Sequence, residues 1–568
     1  MHKGVAMKKA YFILLFPLII TVIFIVSSCA SSQKTDPNPY AEKVDNLFAE
    51  WNKPDSPGAA LAVLKDGLII YKKGYGSAQL EYGIPITPST IFHVASVSKQ
   101  FTAFAITMLA NQGKLSLDDD IREHLPDVPD FGNTITIKHL IHHTSGLRDQ
   151  WELLAMAGWR LDDVITKEHI MKLVRHQKDL NFAPGDEHLY CNTGYTLLAE
   201  IVERISGQSL RQWTQDNIFK PLSMKNTHFH DDHEMIVKNR AYSYSPLDEE
   251  GFKKRVLSYA NVGATSLFTT VEDLLKWAQN FWGAHVGGNK VIEQIQEQEV
   301  LNGGEKIDYA FGLSRDEHKG LKTLGHSGGD AGFRSRLYLF LDQKFAVAIL
   351  SNLASFNPTQ MALKVADIYL ADKIKEDESK ANKSEKKIVK VDSAIYDSYT
   401  GKYKLPLGLL IITKESNRLK GEWVGQAKFE LFPKSETKFF LKIADRQITF
   451  HGDEESKVNQ ITVHMTGKDM TGKRITPPTI TQDLLTEYQG DYYSSELRTI
   501  YTMVAEDFKL IAKHQRHENQ ILTYSDKDHY VGEKWFFNNV HFTRDKDDRI
   551  DGFLLTGGRV RNLRFDKQ

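Results

Sequence analysis

A chain of 568 residues that is 41% hydrophobic and 26% charged has apolar content for about three domains and is too apolar to be a disordered tail. Its 72 basic and 73 acidic residues leave a formal net charge of −1, which excludes the basic footprint of a nucleic-acid-binding protein. Only two cysteines are present, Cys29 and Cys191, so a disulfide framework is excluded and stability must come from ordinary cores.

The chain opens with Lys3, Lys8 and Lys9, an apolar run from Ala10 to Val26, and Val26-Ser-Ser-Cys29. A basic start, an apolar run too short to span a bilayer comfortably and small residues before a cysteine read as a secretory signal. The arrangement resembles a bacterial lipoprotein signal. The resemblance implies removal of residues 1–28, lipidation of Cys29 and a bacterial cell-envelope location, periplasmic or on the outer membrane. Removal of the signal leaves 69 basic against 73 acidic residues. Residues 29–40, polar and holding Pro37 and Pro39, read as a tether.

Two strand-like runs, Ala59 to Leu64 and Leu68 to Tyr75, are joined by Lys65-Asp-Gly67, a hairpin signal. Next comes a helix expected to be amphipathic, with Phe101, Phe104, Ala105 and Met108 at core spacing and Gly113 as its stop. Ser96 and Lys99 stand three apart at its start, where residues share a face and a lysine opposes the helix macrodipole. That placement is poor for structure and good for chemistry, because the same field and partial burial lower the amine's pKa until it can take a serine's proton. Four Ser-x-x-Lys matches occur, at Ser31, Ser96, Ser384 and Ser435; only the one at Ser96 follows an apolar strand-like run and opens a helix.

Further along, His142-His143 is expected to serve packing or a turn rather than a metal, since adjacent helical residues do not share a face. Tyr190-Cys-Asn192 precedes a helical run from Gly194 to Ile205, and Val271 to Trp282 is a second helical run. A Gly-rich stretch, His326 to Gly332, is expected to be a turn leading into two alternating runs, Phe333 to Phe340 and Phe345 to Leu350. Hairpins at both ends of a helical middle predict an α+β domain over residues 41–371, one antiparallel sheet built from both chain ends and flanked by helices.

Three separated pieces, Ser96-Val-Ser-Lys99, Tyr190-Cys-Asn192 and His326-Ser-Gly328, resemble the serine β-lactamase and penicillin-binding-protein superfamily in its class C-like branch. His143-Thr-Ser-Gly-Leu147, Pro221-Leu-Ser-Met224 and Tyr309-Ala-Phe-Gly312 add to the resemblance. It implies a β-lactamase/transpeptidase-like fold, a covalent acyl-enzyme on Ser96, and Lys99 with Tyr190 sharing the proton. It also implies that Asn192 holds Lys99 and the substrate, that the His326-Ser327-Gly328-Gly329 strand lines the site, and that the backbone N–H groups of Ser96 and Gly329 form the oxyanion hole. No metal and no cofactor are implied. Tyrosine needs a neighbouring cation to act as a base near neutrality, and Lys99 and His326 are the candidates. Gly329 is expected to be the glycine that lets the backbone approach closely. A histidine at 326, where many members carry lysine, holds a substrate carboxylate less firmly and resembles the D-aminopeptidase and related peptidase or esterase members.

Residues 372–392 are charged and read as a linker. Beyond them, short alternating runs at about ten-residue spacing predict two small all-β barrel modules, 393–478 and 485–568, resembling lipocalin-like modules. Tyr399-Thr-Gly-Lys-Tyr403 is echoed by Tyr488-Gln-Gly-Asp-Tyr492, and Phe439-Phe440 with Phe450 by Phe536-Phe537 with Phe542. Their aromatics are expected to be core. Specificity is expected in loops 148–165, with Trp151, Trp159 and Arg160, and 233–262, with Tyr242 and Tyr244. The expected function is a serine hydrolase acting on a small amide, such as a D-amino-acid-containing peptide from the cell wall. A carboxylesterase shares the same chemistry, and a surface binding protein that has lost turnover is the rival from another class.

Overall fold

A six-stranded antiparallel sheet forms from segments nearly three hundred residues apart. Its strands are Ala59–Lys65 (β1), Leu68–Tyr75 (β2), Ser314–His318 (β3), Leu321–Asp330 (β4), Phe333–Phe340 (β5) and Phe345–Ser351 (β6), in the order β3-β4-β5-β6-β1-β2. The structure is a computed structural model and describes residues 38–568 except 249, 376–387, 407, 427, 442–445, 453–457, 466–467 and 477–479. The signal, Cys29, nearly all of the tether and the middle of the charged linker lie outside the described residues.

Period-two alternation divides the paired central strands between two cores. Ala60, Ala62 and Leu64 of β1, with Ala346, Ala348 and Leu350 of β6, face the helices Lys99–Asn111 (α1) and Val271–Gly283. Ala59, Leu61 and Val63, with Phe345, Val347 and Ile349, face Met361, Val365 and Tyr369 of the helix Pro358–Tyr369. Alanine at four of the six positions on the first face lets the helix Val271–Gly283 pack closely on β1 and β6. Both sides of the sheet are therefore covered, and β1 is buried over its first six residues.

Two sequence expectations change here. The α1 helix is not amphipathic: Lys99 through Thr107 are all buried, so it runs through the interior instead of lying on the surface. Its polar residues are paid for internally, Thr102 donating to the Gly263 carbonyl (2.9 Å) and Gln100 accepting from the Trp277 indole (3.0 Å). The second change is the Gly-rich stretch: His326 to Asp330 continues β4, each residue paired to β5, and only Ala331-Gly332 turns. Clustered glycine is a turn signal, but in this strand it makes room for a neighbour.

Both carboxy-terminal modules are closed eight-stranded barrels. The first runs from Gly401–Leu405 to Lys468–Ile475 and closes by pairing Lys402 with Ile475. The second runs from Gly490–Ser494 to Leu563–Lys567 and closes by pairing Tyr492 with Lys567. The repeat is physical: the Tyr403 hydroxyl donates to the Tyr399 carbonyl and the Tyr492 hydroxyl to the Tyr488 carbonyl, each at 2.8 Å. Phe450 lies 4.5 Å from the Tyr399 ring and Phe542 lies 4.7 Å from that of Tyr488. The Phe-Phe echo does not hold, since Phe439-Phe440 sit on the fifth strand of their barrel whereas Phe537 starts the sixth, the strand that carries Phe542. Both interiors are filled by these aromatics and aliphatics.

The second barrel is not a separate bead. Leu153, Ala155 and Met156 of the helix Gln150–Met156 (α2) belong to the same buried cluster as Tyr501, Met503 and Phe537. The Tyr501 hydroxyl donates to the Met156 carbonyl (3.1 Å), and the buried pair Arg148–Glu496 (2.7 Å) crosses the junction. Removing one partner of such a pair strands a charge, at a cost of about 3–5 kcal/mol. Arg148→Met is expected to lose stability of that order and to raise hydrogen exchange in residues 557–561 while leaving that of the first barrel unchanged; equal exchange in both barrels would contradict this docking.

Candidate active site

Ser96 sits in a single 3-10 turn, Ala95–Ser98, that runs straight into α1. Ala95 is held at φ 48°, a left-handed conformation unusual for a residue with a side chain. Ser98 braces the turn, donating to the Ala95 carbonyl and accepting from Leu267 N at 3.0 Å. The Lys99 amine, wholly buried at the first turn of α1, spends its three donors on Ser96 Oγ (3.1 Å), Asn192 Oδ1 (2.8 Å) and the Ala264 carbonyl (2.7 Å). Burial lowers its pKa to about 7, Asp149 nearby opposing and the Arg559 cation adding to the fall. An amine in this state is neutral for much of the time at neutral pH and lies against a serine hydroxyl.

Asn192 opens the helix Asn192–Ser206 (α3), and both its backbone N–H and its side-chain amide donate to Asp149 Oδ2, at 2.7 and 2.8 Å. The other oxygen of Asp149 caps α2 by accepting from Trp151 N at 3.0 Å. Asp149 therefore fixes which end of the Asn192 amide faces Lys99. Sequence reasoning missed it, although an aspartate just before a helical run is a legible capping signal.

The Tyr190 hydroxyl is buried and has no hydrogen-bond partner among the described residues. Burial pushes its pKa above the ordinary tyrosine value, against which the neighbouring Ser96 hydroxyl is the main counterweight, so the phenol keeps its proton. Its ring packs on His143 at 4.2 Å, and Lys99 Nζ lies 4.8 Å and the Arg559 guanidinium 5.0 Å from its centre. His143 in turn accepts from Cys191 N at 3.1 Å, so the histidine positions the tyrosine segment.

His326 is buried in β4 and carries no charge: burial pulls its pKa down to about 3, its Nδ1 donates to the Ser327 carbonyl, and its Nε2 faces the Tyr309 hydroxyl at 3.1 Å. It is not a cation beside Tyr190, because desolvation outweighs any benefit the phenolate would draw from it. The strand pleat turns Ser327 outward, away from the buried His326 and Gly328. The close approach belongs to Gly328 rather than Gly329. A Cβ on Gly328 would stand 2.2 Å from the Val94 carbonyl beside the serine turn, whereas one on Gly329 would meet only the Arg334 side chain at 3.6 Å.

A cleft of about 580 Å³ brings together Ser96, Tyr190, Asn192 and Gly329. Asp149, Trp151, Glu152 and Leu161 bring the 148–165 segment into its wall, while Trp159 packs on His169 and Arg160 pairs with Asp162. From 233–262 the lining residue is Tyr259, stacked on Trp151 at 4.7 Å. Tyr242 instead lies under Lys254, and Tyr244 donates to Glu81. The second barrel adds Trp535, Gly558 and Arg559 to the wall. Of the other Ser-x-x-Lys matches, Ser435 only braces a barrel turn, accepting from Lys438 N at 3.1 Å, and those at Ser31 and Ser384 lie outside the described residues.

A serine against a buried, weakly charged lysine, set in a cleft between a helix start and a sheet edge, defines a serine hydrolase. Residues 44–370 match the β-lactamase family model, and residues 385–476 match a domain of unknown function, DUF3471. The chain belongs to the β-lactamase family. It is 31% identical over 431 residues to penicillin-binding protein 4* of Bacillus subtilis, covering 73% of this chain and 94% of that protein. It is 28% identical over 318 residues to a D-aminopeptidase of Brucella anthropi, covering 55% of this chain and 59% of that one. Among solved structures, the octameric penicillin-binding protein homologue from Pyrococcus abyssi superposes with a TM-score of 0.55 at 23% identity, covering 76% of this chain and 99% of that one.

Gly328→Ala is expected to displace the serine turn, costing about 2–4 kcal/mol of stability and most of the reactivity of Ser96, while Gly329→Ala stays within about 1 kcal/mol of the parent. Denaturation curves and labelling of Ser96 would check the contrast, which equal effects would refute.

Proposed function

We propose that the chain cleaves a small amide by acyl transfer through Ser96, with Lys99 as the base and Tyr190 as the acid. The contact between Lys99 Nζ and Ser96 Oγ, with the amine poised near pH 7, carries this reading. Neutral Lys99 takes the serine proton as Ser96 Oγ attacks the carbonyl carbon. The oxyanion is held by the backbone N–H groups of Ser96 and Gly329, donors of a kind worth about 3 kcal/mol each in the transition state. As the intermediate collapses, the C–N bond breaks and the proton passes from Lys99 through the Tyr190 hydroxyl to the leaving nitrogen. Water, deprotonated by the same pair, then releases the acyl group. Asn192, oriented by Asp149, holds Lys99 and the substrate amide.

The protonated state of Tyr190 suits an amide, because an amine leaves only with a proton whereas the nitrophenolate of an activated ester leaves without one. The D-aminopeptidase relative supports a D-amino-acid-containing peptide as substrate, and a cell-wall fragment is the form of it proposed here. The amino-terminal pattern ending at Cys29 supports delivery to the cell envelope on a lipid anchor.

Intact-mass analysis after exposure to a fluorophosphonate is expected to show one adduct on the parent and none on Ser96→Ala; a protein that stays unlabelled would defeat the hydrolase reading. Only the neutral amine accepts a proton, so labelling is expected to rise with pH to a plateau, half-maximal near pH 7. A flat profile between pH 5 and 9 would remove Lys99 from the role of base. Tyr190→Phe is expected to slow amide cleavage at least 10-fold more than cleavage of a nitrophenyl ester. Equal losses on the two substrates would count against an acid role.

A further inference from the structure

One cationic side chain in the cleft keeps its hydrogen-bond donors free among the described residues, its ion pair with Asp149 being too long for a hydrogen bond. Arg559 stands in the turn between two strands of the second barrel, Ile550–Thr556 and Leu563–Lys567. Its backbone is clamped by the catalytic domain: Arg559 N donates to Glu152 Oε2 (2.7 Å), and its carbonyl accepts from Asn181 Nδ2 (2.9 Å) and Asp149 N (3.3 Å). Gly557 makes this contact feasible, since a Cβ there would lie 2.6 Å from Glu152 Oε2. The side chain is treated differently. Its guanidinium lies over the Tyr190 ring at 5.0 Å, stays 3.7 Å from Asp149 Oδ2, beyond hydrogen-bond length, and donates no hydrogen bond among the described residues. Neighbouring arginines are spent: Arg148 on Glu496 and the Arg561 carbonyl, and Arg561 on both oxygens of Glu187 at 3.0 Å.

The acids of the cleft, by contrast, are occupied. Asp149 accepts from Asn192 and Trp151, Glu152 from the Arg559 backbone, and Asp330 from Thr265 at 3.1 Å, with His93 at 3.3 Å. His326 offers no positive charge, and Lys99 has all three of its donors engaged. A planar fork that makes one long ion pair to Asp149 and donates no hydrogen bond among the described residues, set over the ring of Tyr190, matches a carboxylate carried by the leaving group.

We propose that Arg559 is a specificity residue, supplied by the second barrel, that binds the carboxylate of the substrate's leaving group and so selects amides ending in a free carboxyl. This rests on the hydrolase reading above and narrows its substrate class. It also assigns the second barrel a part in recognition.

The test separates the two readings because it needs no turnover. In the Ser96→Ala protein, calorimetric titration is expected to show N-acetyl-D-alanyl-D-alanine binding at least 10-fold tighter than its carboxy-terminal amide. Adding Arg559→Gln is expected to bring the two within about twofold, and Arg559→Lys to keep part of the preference. The Arg559 side chain is partly exposed, so both variants should melt within about 2 °C of their parent, which shows that a lost preference is not a lost fold. A parent that binds the acid no better than the amide, or does not bind the acid measurably at millimolar concentration, would overturn the assignment. A preference that survives Arg559→Gln would overturn it as well. Fluorophosphonate labelling of Ser96 judges the hydrolase reading by itself.

Discussion

The buried amine of Lys99 is the constraint around which the catalytic domain is arranged. An ammonium group cannot be taken out of water without partners, and here three acceptors converge on it from three different elements: the serine turn, the start of α3 and the loop before the Phe268 strand. The same burial that demands those partners also draws the amine's pKa down to about 7. Structure and chemistry thus rest on one desolvation. Removing water makes the lysine costly as a cation and useful as a base.

Much of the surrounding architecture serves to hold those acceptors in place. Asp149 orients Asn192 while capping α2, so one carboxylate ties the proton-transfer site to the helix on which the second barrel docks. That helix contributes Leu153, Ala155 and Met156 to the barrel's core, and the barrel returns Arg559 to the cleft. A two-way exchange of this kind makes the second barrel part of the active domain. The first barrel, of the same architecture and with the same Tyr-to-carbonyl bond, contributes no residue to the wall of this cleft among the described residues.

The site departs from a simple cation-assisted picture. His326 is deep in the sheet, neutral and held by Tyr309 and the Ser327 carbonyl, so it lends no charge to the site. The cationic groups near Tyr190 are Lys99 and Arg559, 4.8 and 5.0 Å from its ring centre. Tyr190 itself keeps its proton, which fits the acid role proposed for it.

Local patterning was enough for the sheet hairpins, for the helices at Asn192 and Val271, and for two β modules, because period-two and period-3.6 alternation and turn residues are short-range signals. Three short motifs in order were enough to group Ser96, Lys99, Tyr190, Asn192 and His326. What stayed illegible depends on what lies opposite a residue rather than beside it. The interior course of α1, the neutrality of His326, the need for glycine at 328 and the cleft role of Tyr259 in place of Tyr242 and Tyr244 are all of this kind. Asp149 and Arg559, 410 positions apart in the chain, meet only because two barrel strands return their connecting turn to α2. Burial and the closeness of distant segments set pKa values and pocket walls, and both are decided by the packing of the whole domain.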